Sequence, residues 1–188
     1  MVMPAITKRT DWTVEEVHAI PDDGNRVEVL DGELLVTPAP SWVHQDVVLE
    51  FVKWLVPYVD AVGMRLLFAP AGVAWGPRTE LQPDIFVFPQ LLGRRAQRFE
   101  DVGLLTLAIE VVSPSSARAD RFSKRREYQR CGVAEYWIAD PEARLVERWR
   151  PQDDKPEVLF ERLVWQPRED KLALVIDLAE LFHRVYGD

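Results

Sequence analysis

The sequence is short of cysteine, with one Cys and three His among 188 residues. The single cysteine, Cys131, excludes a disulfide within the chain and a zinc site built from several cysteines. Such cysteine usage is typical of the reducing cytoplasm. No run of about 18 apolar residues exists to form a transmembrane helix. The stretch from Met1 to Thr13 has no apolar core of signal-peptide length. We therefore expect a cytoplasmic protein with no membrane partner.

The chain is also short of positive charge, with 23 Lys and Arg against 31 Asp and Glu, a net charge of −8. This balance argues against a general nucleic-acid-binding surface. The tract from Arg94 to Arg130 is the exception, because it holds nine basic and five acidic residues. Two interpretations stay open: positive charge gathered beside a functional site, or a solvated Arg-rich helix and loop.

Length and composition describe one ordinary globular domain. The hydrophobic share of 47% and the charged share of 29% are typical of folded proteins. A chain of this length can bury a sizeable core. We find no internal repeat, low-complexity stretch or change of composition, so residues 1–188 are expected to form a single domain.

Local patterns predict an α/β protein. Thr13-Val14-Glu15-Glu16 reads as a capping box that opens a short helix. Asn25 to Thr37 reads as a β-hairpin with Asp31-Gly32 at its turn. Ser41 can cap a longer helix whose apolar spacing continues to Pro57. A further helix is predicted from Ala117 to Cys131, closed by Gly132.

Short apolar runs predict the strands. They are Arg65 to Ala69, Gly72 to Trp75, the run that follows Asp84, the run that contains Glu110, Glu135 to Ala139, Arg144 to Arg150, Val158 to Val164 and Lys171 to Ile176. The expected fold is a mixed β-sheet flanked by helices, with the C-terminal strands added as an antiparallel extension.

Two carboxylates on apolar strands carry the strongest functional signal. Asp84 opens the run Ile85 to Phe88, and Glu110 lies near the end of the run Leu104 to Val112. Acids are rarely buried unless they are paired or bind a metal. An acid at the start of one strand and another near the end of the next predicts two ligands that face a common ion. Structural explanations remain: a strand-start Asp after Pro83, and a Glu paired with an Arg.

The helix after Glu110 supplies a third group. Asp120, Lys124 and Tyr128 are spaced four apart and share one face. If that face packs on the sheet, Lys124 comes close to the strand acids. An Asp, a Glu and a Lys together are the usual equipment for metal-assisted cleavage of a phosphodiester. The alternative is an exposed Asp120–Lys124 pair, worth about 0.2–0.5 kcal/mol.

These residues occur in an order that resembles a known family. The matching segments are Arg26-Val27-Glu28-Val29-Leu30-Asp31-Gly32-Glu33-Leu34, His44, Pro83-Asp84, Glu110-Val111-Val112-Ser113-Pro114-Ser115, Asp120, Lys124, Tyr128 and Gly132-Val133-Ala134-Glu135-Tyr136-Trp137. They resemble the putative restriction-endonuclease family, which is common in bacteria, notably cyanobacteria, and belongs to the PD-(D/E)xK nuclease superfamily. The resemblance covers roughly residues 25–142. It implies the restriction-endonuclease-like fold, a site that depends on Mg²⁺ or Mn²⁺, and DNA as substrate.

The resemblance also implies roles for particular residues. Asp84, Glu110 and Lys124 would be catalytic, and Asp84, Glu110 and the backbone carbonyl of Val111 would bind the metal. One departure stands out: Val112 occupies the position two residues after the strand Glu, where the superfamily usually has Lys. Lys124 would have to reach back from the following helix and replace it.

Five more residues are candidates for auxiliary roles: Glu28, Glu33, His44, Asp120 and Tyr128. We favour Glu33 over Glu28 as the acid that completes the cluster, although either could be a cross-strand ion-pair partner or an exposed strand residue. His44 lies in the first turn of its helix, where it is either a core histidine or a site residue.

The leading hypothesis is a metal-dependent DNA endonuclease, and a homodimer is possible because cutting both strands usually recruits a dimer. A catalytically silent nucleic-acid-binding or interaction module on the same fold is the second hypothesis, and Val112 favours it. A third keeps the paired carboxylates but assigns glycoside hydrolysis, which would require a sugar-sized groove and no metal.

Overall fold

The structure is a computed structural model that describes residues 9–91 and 93–188. Its helices are α1 Val14–His18, α2 Trp42–Ala61, α3 Arg125–Arg130 and α4 Leu178–Tyr186. A π-helical segment, Ala119–Lys124, leads directly into α3. The strands are β1 Arg26–Leu30, β2 Glu33–Thr37, β3 Met64–Phe68, β4 Val73–Ala74, β5 Glu80–Leu81, β6 Ile85–Pro89, β7 Leu107–Val111, β8 Glu135–Asp140, β9 Leu145–Trp149, β10 Glu157–Leu159, β11 Arg162–Trp165 and β12 Leu174–Asp177.

A mixed six-stranded sheet forms the centre, in the order β10-β9-β8-β7-β6-β3. The pair β7–β8 is parallel, and the other neighbours in this sheet are antiparallel. A smaller sheet has the order β2-β1-β5-β4, and β11 pairs with β12. The expected mixed α/β sheet flanked by helices is therefore confirmed.

One face of the central sheet packs against α2 and α4. Phe51 and Leu55 of α2 and Trp137 of β8 are fully buried in this apolar cluster. The helical spacing that the sequence shows after Ser41 is the reason, because it directs one face of α2 into the core. Ser41 caps the helix by accepting a hydrogen bond from the His44 N–H at 3.2 Å.

The N-terminal elements form as expected. Thr13 and Glu16 make a reciprocal capping box at the start of α1. β1 and β2 form a hairpin in which Asp31 and Gly32 both have positive φ, at 50° and 82°. Two consecutive residues with positive φ define a tight hairpin turn of the primed type, which suits Asp-Gly. β1 also pairs with β5, which lies just before the strand that follows Asp84.

Two expectations about element ends are wrong. α2 continues through Pro57 to Ala61, although proline removes one helical hydrogen bond. Burial of Val59, which is fully enclosed by the apolar cluster, favours continuing the helix despite that loss.

The run from Val158 to Val164 is not one strand. Its first part lies in β10, at the edge of the central sheet, and its second part lies in β11, which pairs with β12. The chain leaves the central sheet at Phe160 and Glu161, both of which are exposed. The C-terminal strands therefore extend the central sheet only through β9 and β10, and the last two form a separate antiparallel pair.

Candidate active site

The register of β6 and β7 brings Asp84 and Glu110 together. These strands are antiparallel, with Ile85 opposite Ile109, so Asp84 lies opposite Glu110. Their carboxylates are 3% and 2% exposed. The backbone N–H of Val111 donates to Asp84 Oδ2 at 2.8 Å. The two strand acids thus converge, as their positions at the start of one strand and the end of the next predict.

Asp84 is held by three donors. Arg26 donates through Nη2 to Asp84 Oδ1 at 2.7 Å. His44 Nε2 lies 3.1 Å from Asp84 Oδ2, the oxygen that also accepts from Val111. Burial opposes the charge on Asp84, but the hydrogen bond from His44 and the charge of Arg26 outweigh it and lower its pKa to about 2. His44 therefore orients a site carboxylate from the first turn of α2.

Lys124 lies at the centre of the acidic cluster. Its Nζ is 3.0 Å from Glu110 Oε1, 2.8 Å from Glu28 Oε2 and 3.5 Å from Asp120 Oδ1. Burial alone would lower the Lys124 pKa, yet the three carboxylates raise it above the ordinary value. The ammonium therefore stays charged in a buried place. Its contact with Glu110 agrees with the expectation that Lys124 replaces the lysine missing at Val112.

Tyr128 supports Glu110 from the same helical face. Its hydroxyl donates to Glu110 Oε1 at 2.9 Å. Burial is the main cause that raises the Glu110 pKa well above its ordinary value, against the opposing charge of Lys124. The pKa of Asp120 is also raised, again mainly by burial. Asp120, Lys124 and Tyr128 are all buried, so this face of the helix packs on the sheet and the alternative of an exposed Asp120–Lys124 pair does not hold.

The hairpin contributes Glu28 rather than Glu33 to this cluster. Glu28 is 1% exposed, and its Oε1 accepts a hydrogen bond from the Gln82 N–H at 2.7 Å. Glu33 lies next to the turn, opposite Leu30, and is half-buried. The geometry therefore favours Glu28 as the additional acid, against our sequence-based preference for Glu33. Alternation along the strand could not separate the two, because both side chains lie on the same face of the hairpin.

Sequence reasoning missed one site residue, Arg26. Its Nη2 contacts Asp84 Oδ1, and its Nη1 lies 3.9 Å from Glu110 Oε2. The available signal was its spacing: Arg26 and Glu28 are two residues apart on β1 and so point to the same face. Arg26 also begins the segment that carries the family resemblance.

A cavity of about 180 Å³ opens onto the cluster. Its walls include Asp84, Glu110, Val111, Lys124 and the loop Ser113–Ser116. A second cleft of about 910 Å³ lies between α1, the hairpin and the segment Ala96–Phe99. Arg26 and the residues 38–40 line both spaces. The small cavity and the much larger cleft therefore share a wall.

The cluster's carboxylate oxygens are the type of ligand that Mg²⁺ prefers. Its four carboxylates, from Glu28, Asp84, Glu110 and Asp120, face two permanent side-chain cations, Arg26 and Lys124. Glu28 Oε2 and Asp120 Oδ1 are buried oxygens that face the Lys124 ammonium at 2.8 Å and 3.5 Å. Among the described residues, no three His, Cys, Asp or Glu side chains form a metal-binding group by themselves. Mg²⁺ is usually held by only one or two carboxylates and keeps several waters, so two acids suffice.

Fold and site together define a nuclease-like protein of the restriction-endonuclease-like class. The sequence model of the family described as "Uma2: Putative restriction endonuclease" matches residues 14–179, and the chain belongs to this family. The family that the sequence motifs resemble is thereby confirmed.

A solved structure agrees with the fold. It is described as a putative nuclease belonging to DUF820 from Anabaena variabilis ATCC 29413. It matches with a TM-score of 0.75 and 21% sequence identity, over 93% of this chain and 99% of that chain. At this identity the likeness supports the fold alone.

No curated protein sequence matches the chain significantly. Within the part of the chain that the structure describes, no helix combines the length and apolar character that crossing a membrane requires.

Proposed function

We propose that this protein is a metal-dependent endonuclease that hydrolyses phosphodiester bonds in DNA. The observation that carries the proposal is the convergence of Asp84, Glu110 and Lys124 on one cavity, from two neighbouring strands and the following helix. Membership in the family described as "Putative restriction endonuclease" supports a nuclease function. The divalent metal and the DNA substrate are the further steps of the proposal.

Asp84, Glu110 and the backbone carbonyl of Val111 would hold Mg²⁺ or Mn²⁺. All three residues line the same cavity. Such an ion, when bound, polarises a phosphoryl oxygen and lowers the pKa of a bound water. His44 and the Val111 N–H fix the orientation of Asp84, and Tyr128 fixes that of Glu110. These contacts hold the carboxylates in place before any ligand arrives.

Lys124 acts as a charged donor rather than as a general base. Its raised pKa keeps the proton on Nζ at neutral pH. A protonated lysine beside the scissile phosphate orients the nucleophile and stabilises the negative charge that develops on the phosphoryl oxygens. Glu28 and Asp120 also contact the ammonium and help to hold it in place.

The net charge of −8 opposes binding to DNA, which is itself negatively charged. Arg98, from the basic tract, lines the large cleft, so positive charge does reach the approach to the site. Other members of the tract are already paired: Arg94 contacts Asp101, and Arg121 contacts Asp140 and Glu147. Pairing reduces the number of arginines that can contact phosphates, which implies weak and strongly salt-dependent binding. Two copies of the chain would be needed to cut both strands together.

The test is cleavage of supercoiled plasmid in the presence of Mn²⁺ or Mg²⁺. We expect Asp84→Ala and Lys124→Ala to lower the rate by at least a hundredfold. Asp154→Ala and Lys155→Ala are matched controls, because these two exposed residues lie outside the cluster and the same groups are removed. Equal rates for the wild type and both site variants would contradict the proposal.

A catalytically silent nucleic-acid-binding module is the second candidate. Val112 favours it, because the usual lysine is absent from that position. The contact between Lys124 and Glu110 weakens this argument, since an ammonium reaches the strand acid from the helix. Calorimetry with Mn²⁺ separates the two candidates, because a silent module does not require affinity for the metal.

A further inference from the structure

Arg26 lies where two site carboxylates face each other. Its guanidinium donates to Asp84 through Nη2 and to the Gln82 carbonyl through Nη1, the latter at 3.2 Å. The same Nη1 lies 3.9 Å from Glu110 Oε2. One planar cation therefore spans the pair of acids that the proposed function assigns to the metal.

The contacts of Asp84 occupy most of the acceptor sites on its carboxylate. Oδ1 accepts from Arg26, and Oδ2 accepts from the Val111 N–H and faces His44. A divalent ion on the same carboxylates would lie against a guanidinium of like charge. Because Arg stays protonated at any ordinary pH, this repulsion cannot be relieved by loss of a proton. It is relieved only if the side chain moves away.

The Arg26 side chain borders open space into which it can move, whereas the Lys124 side chain is enclosed. The Arg26 side chain is 18% exposed and lines the large cleft as well as the small cavity. Lys124 is 4% exposed and is enclosed by three carboxylates. The two cations of the cluster thus differ: one is enclosed, and the other borders a cleft that opens to solvent.

We propose that Arg26 is a tethered cation that competes with the divalent metal for Asp84 and Glu110, and that a phosphodiester in the large cleft draws it away. The inference rests on the proposed function and adds a form of regulation to it. Arg26 then pairs with the phosphate, for which its planar fork of donors is well suited. Metal and nucleic acid bind cooperatively as a result, because each favours the same position of Arg26.

The test measures Mn²⁺ affinity by calorimetry on the full chain, without and with a phosphorothioate DNA duplex that resists cleavage. Without the duplex, we expect Arg26→Gln to bind Mn²⁺ at least tenfold more tightly than the wild type. The duplex should tighten Mn²⁺ binding by a larger factor in the wild type than in Arg26→Gln. Arg26→Lys, which keeps the charge without the planar fork, should remain within threefold of the wild type without the duplex.

Arg184→Gln is the matched control, because it removes one guanidinium from the surface of α4 and should leave the Mn²⁺ affinity unchanged. Thermal unfolding of every variant checks that it folds. Equal or weaker Mn²⁺ binding by folded Arg26→Gln would overturn the inference. If Glu110→Gln still weakened Mn²⁺ binding in that case, the result would support the proposed metal site while the role of Arg26 was wrong. Absence of Mn²⁺ binding by the wild type and by folded Arg26→Gln would overturn the proposed metal site together with the inference.

Discussion

The two faces of the central sheet bury different kinds of side chain. Towards α2 and α4, the strands direct Leu107, Ile109 and Val111 into an apolar cluster. On the opposite face, β7 places Glu110 among Lys124, Glu28 and Asp120, beside a second apolar cluster that includes Ala108. A single strand therefore supplies stability on one side and a charged site on the other.

The difference between the two faces shows how the protein remains stable despite the buried charges of its site. Burial of carboxylates costs free energy even when they are paired, and a well-packed apolar group would often be more stable in their place. The raised pKa values of Glu110 and Asp120 express this cost, because burial disfavours their charged forms. The face towards α2 offsets it with large, fully buried side chains such as Phe51 and Trp137. The two faces should therefore respond differently to substitution.

The largest effect is expected on the apolar face. Phe51→Ala removes a fully buried ring and leaves a cavity, so we expect the free energy of unfolding to fall by about 3–5 kcal/mol. Urea unfolding measures this change. Leu49→Ala, on the half-exposed side of the same helix, should cost about 1 kcal/mol or less. Calorimetry at a temperature where Phe51→Ala is folded should find its Mn²⁺ affinity unchanged. If Phe51→Ala lowered the free energy of unfolding less than Leu49→Ala, the apolar face would not be the main source of stability.

A smaller effect with a defined pH dependence is expected from Asp84. Its pKa in the folded protein, about 2, lies below the ordinary value of 3.8. The stabilisation is therefore complete above about pH 4 and is lost as the pH falls through 2. It amounts to about 2 kcal/mol by linkage.

Asp84→Asn should remove this acid-sensitive part of the stability curve, which urea unfolding between pH 2 and pH 6 measures. Asp154→Asn, at an exposed position, should leave the curve unchanged. If Asp84→Asn and the wild type lost stability in parallel over that range, the contacts of Asp84 with Arg26 and His44 would not govern its pKa.

Much of both faces could be predicted from the sequence, because local rules act there. Alternation along β7 separates the aliphatic residues from Glu110, and four-residue spacing places Asp120, Lys124 and Tyr128 together. The Asp31-Gly32 turn fixes the hairpin through a backbone conformation that few other residues adopt. These signals need no knowledge of distant contacts.

The remainder depends on tertiary register, which local patterns do not contain. Arg26 reaches Asp84 across 58 positions of sequence, through the pairing of β1 with β5. The break between β10 and β11 follows from the different partner strand that each half of the run pairs with. Choosing Glu28 over Glu33 required the same information.

The smallest effect we predict separates those two acids. Glu28 Oε2 lies 2.8 Å from Lys124 Nζ, whereas Glu33 lies beside the hairpin turn. Glu28→Gln removes a charge that helps to hold the ammonium, and it keeps an oxygen that can accept from the Gln82 N–H. We expect plasmid cleavage to slow by about tenfold, or about 1.4 kcal/mol of barrier.

Glu33→Gln is the matched control on the same hairpin, with the same loss of charge, and it should slow plasmid cleavage by less than about threefold, or about 0.7 kcal/mol of barrier. Both rates are measured at the same Mn²⁺ and salt concentrations, because the effect of removing a charge depends on ionic strength. If Glu33→Gln slowed plasmid cleavage more than Glu28→Gln, the acid of the hairpin that contributes to catalysis would be Glu33, beside the turn. In that case the contact of Glu28 with Lys124 would contribute to folding alone. Glu28 would then not belong to the catalytic group, although the geometry places it there.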